Sequence, residues 1–394
     1  MKLNLLLKPE IQEYIIKNTG LAISHIAFQK NPFPEIDFKI LLNQIEARTK
    51  CKEKLSTWYN KKNIIYPIKI SVEQTSSEIT AQYKSELISG DSVIDLSGGF
   101  GVDAYYFSKK VKQVVHCEIN QELSEIVYHN FKQLNILNCT CIHGDSTEIL
   151  TNLYQTFNTI YIDPSRRSDI KGKVFMLKEC LPNVVELQDF YYKFSENILI
   201  KTAPILDITA GLLELKNVKT IHIVAVDNEV KELLWEINKD YINEITIKTI
   251  NFNKQTKEVF DFKLSSNSNS NYSLSKKFLY EPNSAIMKSG GFYEIGQRFS
   301  LDKLHQHSHL YTSDEIITFP GRIFEIEKVI DYTKIEMKTN LENKKANITT
   351  RNFPETVENI RKKWKINDGG NKYCFFTTDI NNNKIVLICT KINS

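Results

Sequence analysis

The chain has 394 residues, 41% of them hydrophobic and 25% charged, which is ordinary for a soluble protein of two or three domains. A formal net charge of +4 permits nucleic-acid binding without requiring it. No apolar run approaches the length of a membrane span, and MKLNLLLKPE lacks the apolar core of a signal peptide. The seven cysteines have no paired spacing, which favours a reducing cytoplasm.

Taken in chain order, the sequence divides into four segments with different residue patterns. Residues 1–65 are predicted to form a helical region. Between residues 66 and 265, short apolar runs alternate with amphipathic stretches, and the runs are VIDL, VVHCEI, CTCIHG, TIYID, ILIKTAP and IHIVAV. This alternation predicts an α/β domain with a parallel sheet and helices on both faces. A polar linker is expected at 265–275, and a small α+β domain is expected from residue 322 to the end.

The first apolar run leads into a glycine-rich turn, DLSGGFG. Gly98, Gly99 and Gly101 allow a sharp turn and a close approach of a ligand to the backbone. Their spacing differs from the G-x-G-x-x-G of dinucleotide-binding folds, and no P-loop Lys-Ser/Thr follows. Asp95 stands directly before the turn and favours an amine-bearing ligand over a pyrophosphate.

Two further acids follow the second and third apolar runs. Glu118 ends the second run, where a carboxylate accepts from the hydroxyls of a ribose. Asp145 follows the third run, where it is placed to accept from the amino group of an adenine. An amine, a ribose and an adenine without a phosphate predict S-adenosylmethionine (SAM) as cofactor.

The fourth run ends in YIDPSRR, which is predicted to carry the reaction. Asp163 and Pro164 would lie at the strand tip beside the reactive methyl group, with Asp163 accepting from a target amine. Arg166 and Arg167 are candidates for stacking on a base or for holding a phosphate. Lys201, at the end of the fifth run, either lines the same cleft or lies on the surface.

These motifs together resemble those of class I SAM-dependent methyltransferases. DLSGGFG corresponds to the first motif of that family, with Ser97 where the family has its first glycine. YIDPSRR corresponds to the Asp/Asn-Pro-Pro-aromatic motif of amino-directed members, with Ser165 and Arg166 in the last two positions, which leaves the target atom open. The resemblance implies a cofactor site made of Asp95, Ser97, Gly98, Gly99, Gly101, Glu118, Asp145 and Asp163, and a catalytic set of Asp163, Pro164 and Arg166.

Motifs outside this block extend the resemblance over most of the chain. With EQTSSEITAQYK, YEPNSAIMKSG, HLYTSDE and TTRNFP, the chain resembles the bacterial methyltransferases that have a C-terminal THUMP-like domain. It is more distantly similar to the cap-guanine N2 methyltransferases. The resemblance implies a Rossmann-like methyltransferase domain at 66–265 after the helical region, a ferredoxin-like segment at 277–320 and a THUMP-like domain at 322–394.

A THUMP-like domain implies an RNA partner, most often tRNA. A basic helix-like stretch around Trp364 and an arginine upstream of it suit contact with an RNA backbone. The basic residues are Arg351, Arg361, Lys362, Lys363 and Lys365, and Arg167 joins them as a candidate RNA contact. The alternative is a solvated helix face with Trp364 turned into the core.

The sequence therefore predicts a cytoplasmic SAM-dependent methyltransferase that modifies a base nitrogen of tRNA or rRNA, with no obligate protein partner. Two alternatives stay open: a methyltransferase of a protein or small molecule, and a non-catalytic RNA-binding protein that retains the SAM fold. No metal is expected, because no cysteine or carboxylate motif accompanies the alternating His305, His307 and His309.

Overall fold

The computed structural model describes residues 3–166, 176–254, 256–265 and 269–392. They form two compact units. The first consists of Met1–Lys219 and Leu234–Ile242, and the second of Thr220–Leu233 and Asn243–Ser394. The chain therefore leaves the first unit, returns to it and leaves it again.

The first unit begins with a helical region. Pro9 opens one of its helices, where the missing N–H costs no hydrogen bond, and Leu41 and Ile45 form the fully buried face of the longest one. The helices are α1 (Leu3–Leu6), α2 (Pro9–Asn18), α3 (Ile23–Ala27), α4 (Phe38–Lys54), α5 (Ser56–Asn60), α6 (Lys69–Gln74) and α7 (Glu78–Leu87).

Strands and helices then alternate, as predicted from the apolar runs. The strands are β1 (Ser92–Asp95), β2 (Gln113–Glu118), β3 (Cys139–His143), β4 (Thr159–Ile162), β5 (Ser165–Arg166), β6 (Cys180–Leu181) and β7 (Asn197–Thr202). The helices are α8 (Val102–Ser108), α9 (Gln121–Gln133), α10 (Ser146–Asn152), α11 (Val184–Tyr191) and α12 (Ile208–Glu214). A short antiparallel pair, β5 and β6, stands apart from the main sheet.

The main sheet of this unit is parallel and has the order β3-β2-β1-β4-β7. Val93, Ile94 and Ile160 are fully buried, because helices cover both faces of a sheet of this kind. The strand order reverses between β1 and β4, and ligands of such sheets bind where the carboxyl ends of the strands meet this reversal. The predicted Rossmann-like α/β fold is confirmed, and Asp95 and Asp163 stand at the ends of the two strands concerned.

The second unit contains the remaining strands. The chain passes between the units within β8 (Val218–Val226) and again within β9 (Glu229–Asn238). Strand β10 (Thr246–Phe252) is parallel to β8 and antiparallel to β11 (Lys257–Lys263), and the described residues between strands β8 to β11 form no helix.

A second sheet, of the order β13-β14-β12-β15-β18-β17-β16, completes this unit. Its strands are β12 (Phe278–Pro282), β13 (Asp302–Lys303), β14 (Tyr311–Ser313), β15 (Gly321–Asp331), β16 (Asn347–Thr350), β17 (Lys372–Thr378) and β18 (Lys384–Ile392). Its helices are α13 (Ser284–Ser289), α14 (Phe292–Arg298), α15 (Lys334–Asn340) and α16 (Val357–Trp364). Strands β17 and β18 form the predicted hairpin, and the predicted domain boundaries stay predictions.

Within the described ranges, none of the helices combines the length and the apolar character that crossing a membrane would require.

The close packing of Gly211 against Trp235 inside the first unit leads to a prediction about stability. A Cβ added to Gly211 of α12 would lie 2.4 Å from Cη2 of Trp235, which is fully buried and donates to Thr202 Oγ1 at 3.0 Å. Glycine to alanine within a helix ordinarily stabilises by about 1 kcal/mol. Because the tryptophan cannot yield, we expect Gly211→Ala to lower the free energy of unfolding by about 1–3 kcal/mol, measured by urea denaturation. The exposed Thr209→Ala on the same helix is the control and should change it little; a stabilised Gly211→Ala would contradict the packing.

Candidate functional site

The turn after β1 requires its glycines for different reasons. Gly98, Gly99 and Gly101 have φ angles of 34°, 63° and 76°, in the left-handed region. A Cβ at Gly98 would lie 2.4 Å from the carbonyl oxygen of Cys117, and one at Gly101 2.8 Å from Val127. A Cβ at Gly99 would meet nothing nearer than 3.9 Å. Gly98 and Gly101 are thus in close contact with the residues packed against the loop, whereas the space beside Gly99 is open.

Asp95 anchors this loop. Its side chain is 1% exposed, and Oδ1 accepts from Ser97 N at 3.0 Å, Ser97 Oγ at 3.0 Å and Gly98 N at 3.1 Å. Burial raises the pKa of Asp95 to about 6, although the imidazole of His116, its register partner on β2, acts in the opposite direction. Asp95 therefore fixes the loop conformation from within, and its contact with a cofactor amine stays a prediction.

Ser97 joins the ends of the two central strands. Its hydroxyl donates to Asp95 at the end of β1 and accepts from the backbone N–H of Asp163, just beyond β4, at 2.7 Å. A glycine, which the family pattern has at this position, offers no such bridge. The departure from the pattern thus has a structural role.

Glu118 lies at the open side of the loop. Its side chain is 8% exposed and accepts from Gly99 N at 2.8 Å through Oε2 and from Asn120 N at 2.7 Å through Oε1. A carboxylate oxygen has two lone pairs, so each oxygen can accept one further hydrogen bond. The carboxylate is held in place by backbone groups and retains the capacity to bind two hydroxyls.

Asp145 lies at the start of α10 and is exposed. Its Oδ1 accepts from Thr147 N at 2.8 Å and Glu148 N at 3.1 Å, so that it caps the helix. Capping engages one of its two oxygens. The predicted contact with an adenine amino group therefore stays a prediction that the capping role allows.

Asp163 forms an ion pair with Lys201 from the end of β7. The lysine side chain is 12% exposed and the aspartate 37%, so that the carboxylate is the more accessible partner. Pro164 is buried beside it. The structure thus places Lys201 at the candidate site rather than on a remote surface. The side chain of Arg166, and all of Arg167, lie outside the described residues.

A buried charge network that the sequence did not predict lies nearby. Lys84 is 0% exposed, and its Nζ lies 3.3 Å from Asp103 Oδ1 and 3.0 Å from Ser76 Oγ. Asp103 Oδ2 accepts from Tyr161 OH at 2.8 Å and from Ser76 Oγ at 2.9 Å. Tyr161 belongs to β4, two residues before Asp163, so that the network reaches the strand that presents the candidate catalytic acid.

The network keeps Asp103 ionised. Burial by itself would raise the pKa of this carboxyl group, but the charges of Lys84 and Lys201 outweigh it and hold the pKa below its ordinary value. The hydrogen bonds from Tyr161 and Ser76 act in the same direction. Lys84 falls within EQTSSEITAQYK, but nothing in an amphipathic helix pattern marks a lysine as buried.

Apart from Arg167, the predicted RNA-binding residues belong to the second unit, where they divide into two groups. Arg351 donates to Glu281, Arg361 pairs with Asp368, and Lys363 donates to Glu355 at 3.0 Å. Lys362 and Lys365 are exposed and have no recorded partner in the described part of the chain. Trp364 is 7% exposed and packs into the core, as the alternative interpretation of this stretch had it.

The three alternating histidines have protein partners. His305 Nδ1 accepts from His307 N at 3.1 Å, and His309 stacks on Phe292 with ring centroids 3.6 Å apart. Among the described residues, no group of three His, Cys, Asp or Glu side chains is arranged to hold a metal ion.

The fold and the site define a class: a Rossmann-like α/β protein with the strand order of class I methyltransferases, followed by further strands and an α+β unit. Residues 278–320 match the family model of a ferredoxin-like domain, and residues 321–391 match that of a THUMP domain-like family. These matches confirm the resemblance to methyltransferases with a THUMP-like domain.

Two relatives agree with this class. A crystal structure of a candidate methyltransferase from Porphyromonas gingivalis W83 is 29% identical, with a TM-score of 0.86 over 99% of both chains. An uncharacterized RNA methyltransferase of Clostridium acetobutylicum is 33% identical over 99 residues. That match covers 24% of this chain and 22% of the relative.

The buried ion pair of Lys84 and Asp103 leads to a prediction about stability. Asp103→Asn removes the counter-charge that Asp103 supplies to the buried Lys84 ammonium, so we expect it to lower the free energy of unfolding by about 3–5 kcal/mol in urea denaturation. The control is Asp91→Asn, which removes the exposed pair between Asp91 and Lys112 and should have little effect. Equal effects of the two substitutions would contradict the buried network.

The raised pKa of Asp95 leads to a prediction about the pH dependence of stability. Because the folded-state pKa of about 6 exceeds the ordinary 3.8, the stability contributed by the protonated acid is present below pH 4 and is lost as the pH rises through 6. Asp95→Asn has no proton to lose. Its free energy of unfolding relative to the wild type should therefore rise by up to ~3 kcal/mol between pH 4 and pH 7. A difference that is independent of pH would contradict the raised pKa.

Proposed function

We propose that the protein is a SAM-dependent methyltransferase that modifies a base nitrogen of tRNA or rRNA in the cytoplasm, without an obligate protein partner. The observation that carries the proposal is the bridge through Ser97. It joins the loop that is open beside Glu118 to the strand end that presents Asp163. The proposed cofactor site and the proposed acceptor of the target amine are thereby connected in one frame at the reversal of the strand order.

The residues at this frame fit SAM. The open space at Gly99 lies beside the Glu118 carboxylate, whose two oxygens can each accept one ribose hydroxyl. No lysine of a phosphate-binding loop follows the glycines, which suits a cofactor without phosphate. In this proposal, Asp145 accepts from the adenine amino group through Oδ2, the oxygen that does not cap α10. When bound, SAM supplies an electrophilic methyl group whose departure leaves a neutral thioether.

The chain's own groups would position the target nitrogen. Lys201 engages Oδ2 of Asp163, and the other oxygen is then available to accept from an N–H of the target amine. This hydrogen bond orients the nitrogen lone pair toward the methyl group and stabilises the positive charge that the nitrogen acquires as the N–C bond forms. The N–H proton then passes to the Asp163 carboxylate and on to water. Pro164 restricts the backbone that carries the acid.

Three observations support RNA as the substrate. One relative is named as an RNA methyltransferase, and residues 321–391 match a THUMP domain-like family. Lys362 and Lys365 are exposed without recorded partners in the described ranges, as contacts to phosphates would require. The other basic residues predicted to contact RNA, Arg167, Arg351, Arg361 and Lys363, remain part of the proposal.

The test is transfer of tritium from labelled SAM to small RNA isolated from a strain that lacks the gene. We expect label in this RNA but not in RNA from the intact strain, in which the position is already methylated. At saturating SAM, Asp163→Ala should reduce the rate by about 100-fold or more, because the target amine loses its acceptor.

The remaining outcomes separate the alternatives. Label in a protein or a small molecule, with inert RNA, would replace RNA as the substrate. Failure to bind SAM, with RNA binding retained, would contradict catalysis and favour an RNA-binding protein that keeps the fold.

A further inference from the structure

A polar cleft of about 370 Å³ lies wholly within the second unit and has no part in the proposed chemistry. Its volume is within the ~300–1,000 Å³ typical of small-ligand pockets. It is lined by Asp227, Asn228, Asn251, Asn253, Glu258, Asn283, Gly321, Arg322, Ile323, Lys391 and Ile392.

The inner wall of the cleft is a preorganised polar cluster. Asn251 and Asn283 are 2% and 3% exposed, and their Nδ2 groups both donate to Glu258 Oε2, at 2.9 and 2.8 Å. Burying amides is costly unless they are hydrogen-bonded, and here both amides donate to the same carboxylate oxygen. The wall therefore has a fixed geometry before any ligand arrives.

Two further lining residues, Asn228 and Asn253, offer hydrogen-bond donors. Asn228 Oδ1 accepts from Ser284 N at 2.7 Å, and Asn253 Oδ1 accepts from Asn251 Nδ2 at 3.2 Å. The side-chain carbonyl oxygens of Asn228 and Asn253 are thus engaged. In the part of the chain that the structure describes, their Nδ2 groups have no recorded acceptor, so that the cleft is rich in free donors.

Two cations, Arg322 and Lys391, also line the cleft. Arg322 donates through Nε to Glu281 Oε2 at 2.7 Å, which orients its guanidinium group. Glu281 is buried and also accepts from Arg351, so that one carboxylate faces two guanidinium groups. Lys391 is exposed, with no recorded ion pair among the described residues. Asp227, also exposed, and Glu258 are the two carboxylates among the lining residues.

We propose that this cleft binds one nucleotide of a single-stranded RNA segment. Lys391 and Arg322 receive the phosphate, the amides of Asn228 and Asn253 donate to acceptors on the base edge, and Asp227 accepts from the 2′-hydroxyl group. A free anion would use only the cations, and a neutral sugar would leave them without a role. The inference rests on the proposed function, because it takes RNA as the substrate class.

Binding by the full-length protein without SAM tests the cleft. The probes are fluorescein-labelled single-stranded hexamers of uridine, cytidine or adenosine and the corresponding DNA, followed by fluorescence anisotropy. Lys391→Ala should weaken all RNA hexamers by about tenfold and lower the slope of log K against log salt by about 0.7. Lys384→Ala, which removes an exposed lysine at the other end of β18, should leave the affinity unchanged.

Two further variants test the remaining contacts. The double variant Asn228→Ala/Asn253→Ala should reduce the preference among bases by about tenfold, and Asp227→Asn should reduce the preference for RNA over DNA. Thermal unfolding of every variant verifies that it is folded. Wild-type affinity and preferences in Lys391→Ala and the double variant, equal weakening by Lys384→Ala, or no binding by the wild type would overturn the proposal.

Methyl transfer is scored separately from binding. Cleft-dependent RNA binding without methyl transfer to any RNA would contradict the proposed function and leave the cleft intact. Full methyl transfer by Lys391→Ala and by the double variant, with unchanged affinity for RNA, would overturn the cleft and leave the proposed function intact.

Discussion

The candidate site depends on a lysine that has no contact with water. Lys84 on α7 requires a counter-charge because a buried unpaired ammonium is unstable, and Asp103 on α8 supplies it. Tyr161 on β4 and Ser76 complete the hydrogen bonds of the carboxylate. The requirement for a paired charge therefore fixes two helices and a central strand relative to one another. The glycine loop opens one of these helices, and Asp163 follows the strand.

The acids of the proposed cofactor site and the buried acid beside the cleft have different partners, and the difference matches their proposed roles. In the first unit, the carboxylates of Asp95 and Glu118 accept mainly from backbone N–H groups of the loop and of the chain beyond β2. These contacts hold acids in place without cancelling their charge, as an amine or hydroxyl ligand requires. In the second unit, the buried Glu281 is paired with two arginines, Arg322 and Arg351. One arrangement suits a cofactor with a positive charge, and the other suits a polyanion.

Most of the α/β fold was predictable, because buried parallel strands appear as apolar runs and the glycine spacing marks the turn after β1. The location of Glu118 and Asp163 at strand ends followed from the same pattern. The bridge through Ser97 and the buried state of Lys84 could not be predicted, because each depends on contacts between residues distant in sequence. Strands β9 to β11 were missed because they follow β8 without a helix among the described residues between them, and because β10 and β11 alternate polar with apolar residues. The amides of the cleft come from separate turns and strands, so that no local motif announces them.

The path of the chain has a consequence for dissecting the protein. The polypeptide enters the second unit within β8, leaves it within β9 and enters it again near residue 243. A fragment that begins at the polar stretch before β12 lacks Thr220–Leu233 as well as β10 and β11, and with them Asp227, Asn228, Asn251, Asn253 and Glu258. The THUMP-like region expressed alone would thus carry its basic helix but half of its cleft. A single proteolytic cut cannot yield both units whole, since each is assembled from two separate stretches of the polypeptide.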